Sequence, residues 1–271
     1  MPTDEEGILR ILGVQKACEW GELKARAWKE SNQIVTRMRV RNAFQKLKTQ
    51  GKVDEEEWKN VKLECKTPPS KPPLFVYSRT VDSTAISERQ QIINEKKQLL
   101  QWHFDVGKQE IGKYAEQLVQ QVCQELHYKS KVHRREKFAV LSSGTRRIEE
   151  IDVYGKHPSN KYWQAISVKN WRDPIRVAQV QQIVDIVALA RQKWKRDIRP
   201  AIVAPTAYDD AMKKAKLDHV PIALLGRQVA PESHRRSYQE LNDRLAFDFE
   251  ITAKPPKLMR DNIEEYLVKR G

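Results

Sequence analysis

Cysteine is scarce in this chain. Its three copies, Cys18, Cys65 and Cys123, lie far apart and form no Cys-x-x-Cys pair, which excludes the usual zinc spacing and a disulfide framework. His103, His127, His133 and His157 are scattered without ligand spacing, so each is expected to be structural or solvated. No apolar run approaches the ~18 residues of a membrane span, and no membrane partner is expected. The start, Met-Pro-Thr-Asp-Glu-Glu, is acidic. It lacks the basic start and apolar core of a signal peptide, so an intracellular, cytoplasmic protein is expected. No internal repeat is evident.

Acidic side chains are also in deficit. Lys and Arg number 50 against 36 Asp and Glu, a net charge of +14 over 271 residues. The excess is uneven: residues 126–200 carry 17 basic and 7 acidic side chains, residues 1–70 carry 14 and 11. A concentrated basic field argues for a polyanionic partner, nucleic acid first. The alternative is a basic surface with no dedicated partner. The hydrophobic fraction, 39%, is enough for a folded core, in one large domain or two small ones.

Residues 5–50 read as three helices. Ile8, Leu9, Ile11 and Leu12 make one apolar stripe, and Trp20, Leu23, Ala27 and Trp28 a second. Ser31 is placed to cap a third, with Val35, Met38, Ala43 and Leu47 at roughly helical spacing and Gly51 as its C-terminal cap. Two strand-like pieces follow, one with Val61, Leu63 and Cys65 alternating with charges, the other Leu74–Tyr77. The proline-rich Lys66–Pro73 separates them. Three helices and a two-stranded wing resemble a winged-helix domain over residues 1–80. In such a domain the third helix enters the major groove, which makes Arg37, Arg39 and Arg41 candidate DNA contacts. The alternative is a module for protein contact or dimerisation with solvated arginines. Residues 82–105 read as one long helix capped by Ser83 or Ser87, a connector (81–106) that packs lightly on its neighbours.

From Gly107 the pattern changes. Gln109–His127 is an amphipathic helix with Ile111, Ala115, Leu118, Val119 and Val122 inside. Val132–Ser142 and Arg147–Gly155 read as strands joined by the turn Ser142–Thr145. Lys161–Trp171, rich in aromatic and β-branched residues, reads as a third strand near the middle of a sheet. Asp173-Pro174 starts a helix that runs to about Trp194. A strand (199–204), a helix (208–216) and a strand (220–225) complete the expected core, 107–230. The residues from 231 to 271 read as a charged tail with helices near 237–245 and 258–269. The expected class is α/β, with a mixed central sheet flanked by helices.

Two strands carry the candidate chemistry. Alternation puts Lys169 on one face with Trp163, Ala165 and Ser167, and a lysine in a buried strand needs a carboxylate, a phosphate or a metal-bound water nearby. In Ile148–Tyr154, Ile151 and Val153 are expected to share one face, and Glu150 and Asp152 the other. Paired carboxylates beside a lysine suit Mg²⁺ or Mn²⁺ held against a phosphodiester. The alternative is a surface pair offsetting Arg146, Arg147 and Lys156.

The order of these parts is Gly112-x-x-x-Glu116 on a helix, a strand with a late Asp152, a strand ending in Lys169, and a long helix. Ile202-Val-Ala-Pro-Thr-Ala-Tyr-Asp-Asp-Ala-Met-Lys-Lys-Ala and Val220-Pro-Ile-Ala-Leu-Leu-Gly follow. Over roughly 107–228 this resembles the PD-(D/E)xK nuclease superfamily, most of all its Mrr-type restriction endonucleases and archaeal Holliday-junction resolvases. The resemblance implies a restriction-endonuclease-like fold and a metal-dependent DNA endonuclease. Asp152 and Glu116 would hold Mg²⁺ or Mn²⁺, and Lys169 would be the motif lysine. It also implies action on duplex or branched DNA, with a homodimer as one arrangement; the N-terminal domain offers a further place for a protein partner. One position departs from the pattern: Ser167 stands where the superfamily has Glu, Asp or Gln. Three readings stay open. Glu150 substitutes for that carboxylate; or metal binds through Asp152, Glu116 and the Val168 carbonyl; or the domain only binds nucleic acid.

Gln179 and Gln182 are candidates to face the site, although helix-surface glutamines are more often idle. Arg172 and Arg176 are candidate phosphate contacts. Trp163 and Trp171 are candidates to stack on a base, with core packing the alternative for at least one. RNA binding or processing is the rival from another class, because charge does not separate RNA from DNA. In competition between matched RNA and DNA duplexes across a salt series, the DNA complex is expected to survive salt that releases RNA. Stronger retention of RNA would favour the rival.

Overall fold

The computed structural model describes residues 4–31, 37–57, 69, 72–132, 137–142 and 145–269. The expected strand at 61–65, most of the Lys66–Pro73 loop, Val35, His133 and the Ser143-Gly144 turn lie outside them. The chain forms two compact units: residues 1–109 with 236–247, and residues 110–235 with 248–271.

The first unit begins with α1 (Asp4–Gln15), β1 (Ala17–Glu19), α2 (Trp20–Glu30), α3 (Arg37–Thr49), β2 (Val53–Glu57), β3 (Leu74–Ser78) and α4 (Ser83–Trp102). Its strands form one antiparallel sheet in the order β1-β3-β2, with Val76 opposite Cys18 on one side and Glu55 on the other. The helices close over it through Ile8, Ile11, Leu12, Leu23, Val40, Phe44 and Leu47. On α3 the buried stripe is Val40, Ala43, Phe44 and Leu47, at i, i+3, i+4, i+7. Met38, expected inside, is 64% exposed. Ser31 was expected to start α3 but instead ends α2, its N–H donating to the Ala27 carbonyl at 3.1 Å. The acidic β2 was not expected as a strand, since Asp and Glu are poor strand formers. Five paired residues against β3 override that preference.

The long helix α4 is capped by Asp82, which accepts from the Thr84 amide at 2.9 Å, not by Ser83 or Ser87. Nor does it pack lightly. Its polar middle hides Lys96, only 4% exposed. The Lys96 ammonium donates to the Ala17 carbonyl at 2.7 Å and to both Glu22 oxygens at 2.9 and 2.8 Å. Arg26 donates to Glu22 at 2.8 Å. A buried charge requires such partners, so Lys96 and Glu22 fix α4 against β1 and α2.

The second unit contains α5 (Lys108–Glu125), β4 (Lys129–Val132), β5 (Lys137–Ser142), β6 (Thr145–Glu150), β7 (Val153–Lys156), β8 (Trp163–Val168), α6 (Val177–Trp194), β9 (Ile198–Ala204), α7 (Asp209–Leu217), β10 (Ile222–Leu224) and β11 (Gln228–Ala230). After α8 (Arg235–Leu245), most of which belongs to the first unit, β12 (Phe249–Ile251) and α9 (Lys257–Ile263) return to the second. The expected mixed α/β core is present. Its central sheet runs β10-β9-β8-β7-β4, parallel from β10 to β8 and antiparallel from β8 to β4. β5 and β6 form a separate hairpin, and β11 pairs with β12.

Both faces of this sheet are covered. α6 and α7 bury one face through Val180, Ile183, Val187, Ala211 and Ala215 over Ala165, Ile198 and Ile202. α5 and α9 bury the other through Leu118, Val119, Val122, Met259 and Ile263 over Val153, Ile166, Val168, Ala201 and Val203. The residues after 230, expected to be a tail, are thus built into both units. Their apolar stripes (Tyr238, Leu241 and Leu245; Met259, Ile263 and Leu267) are buried despite the surrounding charges. Cys18 and Cys123 are free and buried; burial pushes the Cys123 thiol up to about 12. Among the described residues no helix is long and apolar enough to cross a membrane.

Lys96→Ala leaves Glu22 buried with Arg26 as its remaining cationic partner. It is expected to lower unfolding free energy by ~3 kcal/mol, whereas Lys96→Met combined with Glu22→Leu should lose much less. Urea denaturation of the variants measures both.

Candidate functional site

The site is built on an interruption. The expected continuous strand 147–155 is broken at Ile151-Asp152, between β6 and β7. Among the described residues β6 pairs with β5 alone, where Glu150 lies opposite Lys137, while β7 joins the central sheet. The break resets the alternation of side chains. Ile151 enters the core under α6 and Val153 the core under α5, so the expected shared face is not formed. Glu150 and Asp152 are likewise not partners on one strand face.

The ladder between β7 and β8 stops at Val153 opposite Ile166. In an unbroken antiparallel pair the next acceptor for the Val168 N–H would be the Ile151 carbonyl. Asp152 takes that role: its Oδ2 accepts from the Val168 amide at 2.7 Å and from the Ser167 hydroxyl at 3.3 Å. The Lys169 ammonium lies 4.0 Å from the same oxygen, with both side chains largely buried. Asp152, Ser167, Val168 and Lys169 therefore meet at the carboxyl end of β8. The N–H and C=O of a strand residue lie on one edge, so the Val168 carbonyl is directed to the side of Asp152. On the other edge the Lys169 amide donates to the Val203 carbonyl at 2.9 Å.

Asn170 follows, only 4% exposed. Its Nδ2 donates to the Ile111 carbonyl at 3.0 Å and to the Val229 carbonyl at 2.7 Å. Its Oδ1 accepts from the Val229 amide at 3.0 Å, and its main-chain carbonyl accepts from Gln228 Nε2 at 2.8 Å. One side chain thus ties the end of β8 to α5 and β11. Sequence reasoning missed it. The available signal was an asparagine in a strand-like run, where that residue is disfavoured unless its polar atoms are satisfied.

The loop continues through Trp171, 43% exposed, whose ring lies 5.4 Å from the Lys169 ammonium. Arg172 is half-buried and Arg176 exposed. The helix expected to start at Asp173-Pro174 starts instead at Val177. Ile175 is held extended by its amide bond to the Thr206 carbonyl at 3.0 Å and by accepting from the Tyr208 amide at 3.1 Å. Gln179 caps α6, its Oε1 accepting from the Arg176 amide at 2.9 Å. An open depression lined by Arg176, Val177, Tyr208, Asp209 and Asp210 lies at this end of the loop; Asp152 and Lys169 are not part of its lining. Trp163 is stacked on Tyr154 at 4.8 Å between ring centroids and packs against the core under α6.

Glu116 is half-buried on α5. Among the described residues no three His, Cys, Asp or Glu side chains form a group that could hold a metal. What the site offers is a set of hard oxygens with few carboxylates: Asp152, the Ser167 hydroxyl and the Val168 carbonyl. That set fits Mg²⁺, which keeps several waters and commonly takes one or two carboxylates plus substrate phosphate. Of the α3 arginines in the first unit, Arg39 makes a two-pronged pair with Asp4, both bonds 2.9 Å. Arg41 is exposed, and the side chain of Arg37 lies outside the described residues.

No family model matches the chain, and no curated protein matches it. Among solved structures it is similar to a protein of unknown function, AF1548, at 15% identity and a TM-score of 0.30, over 41% of this chain and 56% of that one. It is similar to EndoMS, solved as a complex with double-stranded DNA, at 15% identity and 0.28, over 41% and 44%. A repair endonuclease from Pyrococcus abyssi is similar at 14% identity and 0.26, over 57% and 53%. The matches span about half the length of those chains.

Asn170→Ala removes partners from three main-chain groups at once. It is expected to lower unfolding free energy by about 2–4 kcal/mol, given ~1–3 for each unsatisfied buried group and partial rescue by water. Chemical denaturation checks this, with Asn170→Ser as the variant that restores part of the loss.

Proposed function

We propose that the protein is a metal-dependent endonuclease that hydrolyses DNA phosphodiester bonds, with its centre at Asp152 and Lys169. The carrying observation is the convergence of the Asp152 carboxylate, the Val168 amide and the Lys169 ammonium at the break between β6 and β7. Support comes from that geometry and from the basic surplus around it, not from the distant likenesses.

In this reading Asp152, the Val168 carbonyl and Glu116 hold Mg²⁺ or Mn²⁺. When bound, the cation supplies Lewis-acid polarisation of a phosphoryl oxygen and a lowered pKa for water. Lys169 offsets charge developing on the phosphate and orients the attacking water. Its position is set from three directions: Asp152 faces its ammonium, Val203 holds its amide, and Asn170 anchors the next residue. Arg172 and Arg176 supply phosphate contacts along the β8–α6 loop. The N-terminal unit supports a winged-helix reading through its order α1-β1-α2-α3-β2-β3 and its three-stranded sheet. It would place Arg37, Arg39 and Arg41 on DNA.

Ser167 motivates a second reading, a nuclease fold that binds DNA without cutting it. Its hydroxyl donates to Asp152 where a carboxylate would be a second anionic ligand. The two readings part on Asp152→Ala and Lys169→Ala. An active site predicts Mg²⁺- or Mn²⁺-dependent cleavage of duplex or branched DNA by the wild type. Each variant should lose at least about 10²-fold in cleavage with DNA binding retained. A folded wild type that cuts no DNA form with either metal would leave the binding-only reading.

A further inference from the structure

The two sequence candidates for base stacking have different fates. Trp163 is taken up by Tyr154 and the core under α6. Trp171 is 43% exposed, two residues beyond Lys169, with the Lys169 ammonium 5.4 Å from its ring. Between them the buried Asn170 satisfies its amide group on α5 and β11. The backbone between the two side chains is thereby anchored at Asn170. A flat ring with the Lys169 ammonium over it, 5.4 Å from the centroid, on a loop that also carries Arg172 and Arg176, suits a nucleobase joined to its phosphate.

We infer that Trp171 is a platform on which an unstacked base rests while its phosphate lies at Lys169. The substrate class is then DNA with an unpaired nucleotide at the point of attack, such as a single strand, a flap, a branch or a mismatch. Bases inside a continuous duplex are stacked on each other and cannot also cover the indole. The inference rests on the nuclease reading in placing the reactive phosphate at Lys169, but base binding itself needs no metal.

The test is therefore binding without metal. Fluorescence anisotropy in the presence of a chelator compares a single-stranded oligonucleotide with the fully paired duplex of the same sequence, using wild type, Trp171→Phe and Trp171→Leu. Thermal melts first establish that each variant is folded, and the phenylalanine variant keeps a flat ring if the leucine variant is unstable. Trp171→Leu is expected to weaken single-strand binding at least about fivefold, with Trp171→Phe within about twofold of wild type and duplex binding unchanged. Equal losses on both DNAs, no loss on either, or a phenylalanine variant as weak as leucine would overturn the platform. Selective single-strand binding in a protein that shows no metal-dependent cleavage would remove the nuclease reading and leave the platform standing.

Discussion

The candidate site depends on one hydrogen bond, from the Val168 amide to the Asp152 carboxylate at 2.7 Å. A strand edge always leaves donors and acceptors that need partners. Where β7 begins two residues too late to supply the Ile151 carbonyl, a carboxylate supplies the acceptor instead. That substitution brings a negative charge to the end of β8, next to a lysine that alternation and burial have already directed there. The interruption is what converts two ordinary strands into a polar centre. Without it, Ile151 would continue the ladder and Asp152 would point from the middle of a strand.

The surrounding layers explain why the centre can be held so tightly. Helices cover both faces of the central sheet, so β8 is buried on both sides and its register is strongly specified. Asn170 then locks the first residue beyond the Lys169 position. In the N-terminal unit the same principle recurs with charges: Lys96 and Glu22 are tolerated inside because each satisfies the other. In both units, a buried polar group with complete partners sets the position of a helix or a loop that apolar packing alone would leave free to slide.

Much of the second unit was legible. The apolar face of α5, the strands at 199–204 and 220–225 and the helix between them follow from periodicity and order, whereas Asp152 and Lys169 were singled out by the nuclease resemblance. What escaped was set by tertiary contact. Acidic β2 is a strand only because β3 lies beside it. The break at Ile151-Asp152 leaves no mark in composition, since Ile148–Tyr154 alternates well enough for an unbroken strand. Lys96 sits in the most polar part of α4 and gives no sign that its partner is the equally hidden Glu22. Asn170 is a small polar residue whose role is defined wholly by groups distant in the chain, on α5 and β11. The start of α6 was displaced because Ile175 pairs with the segment before α7, a contact that outweighs the local Asp-Pro signal.

The claim that this interruption is a metal-dependent catalytic centre is most directly tested by diffraction from crystals of the wild-type protein soaked in Mn²⁺, with data collected for the anomalous signal of manganese. The account predicts an anomalous peak at ~2.1 Å from an Asp152 carboxylate oxygen, as expected for a small divalent cation with hard oxygen ligands. The Val168 carbonyl should lie on its coordination shell and the Lys169 ammonium close by. A saturating soak that leaves Asp152 bare, or places manganese only on carboxylates elsewhere, would contradict it.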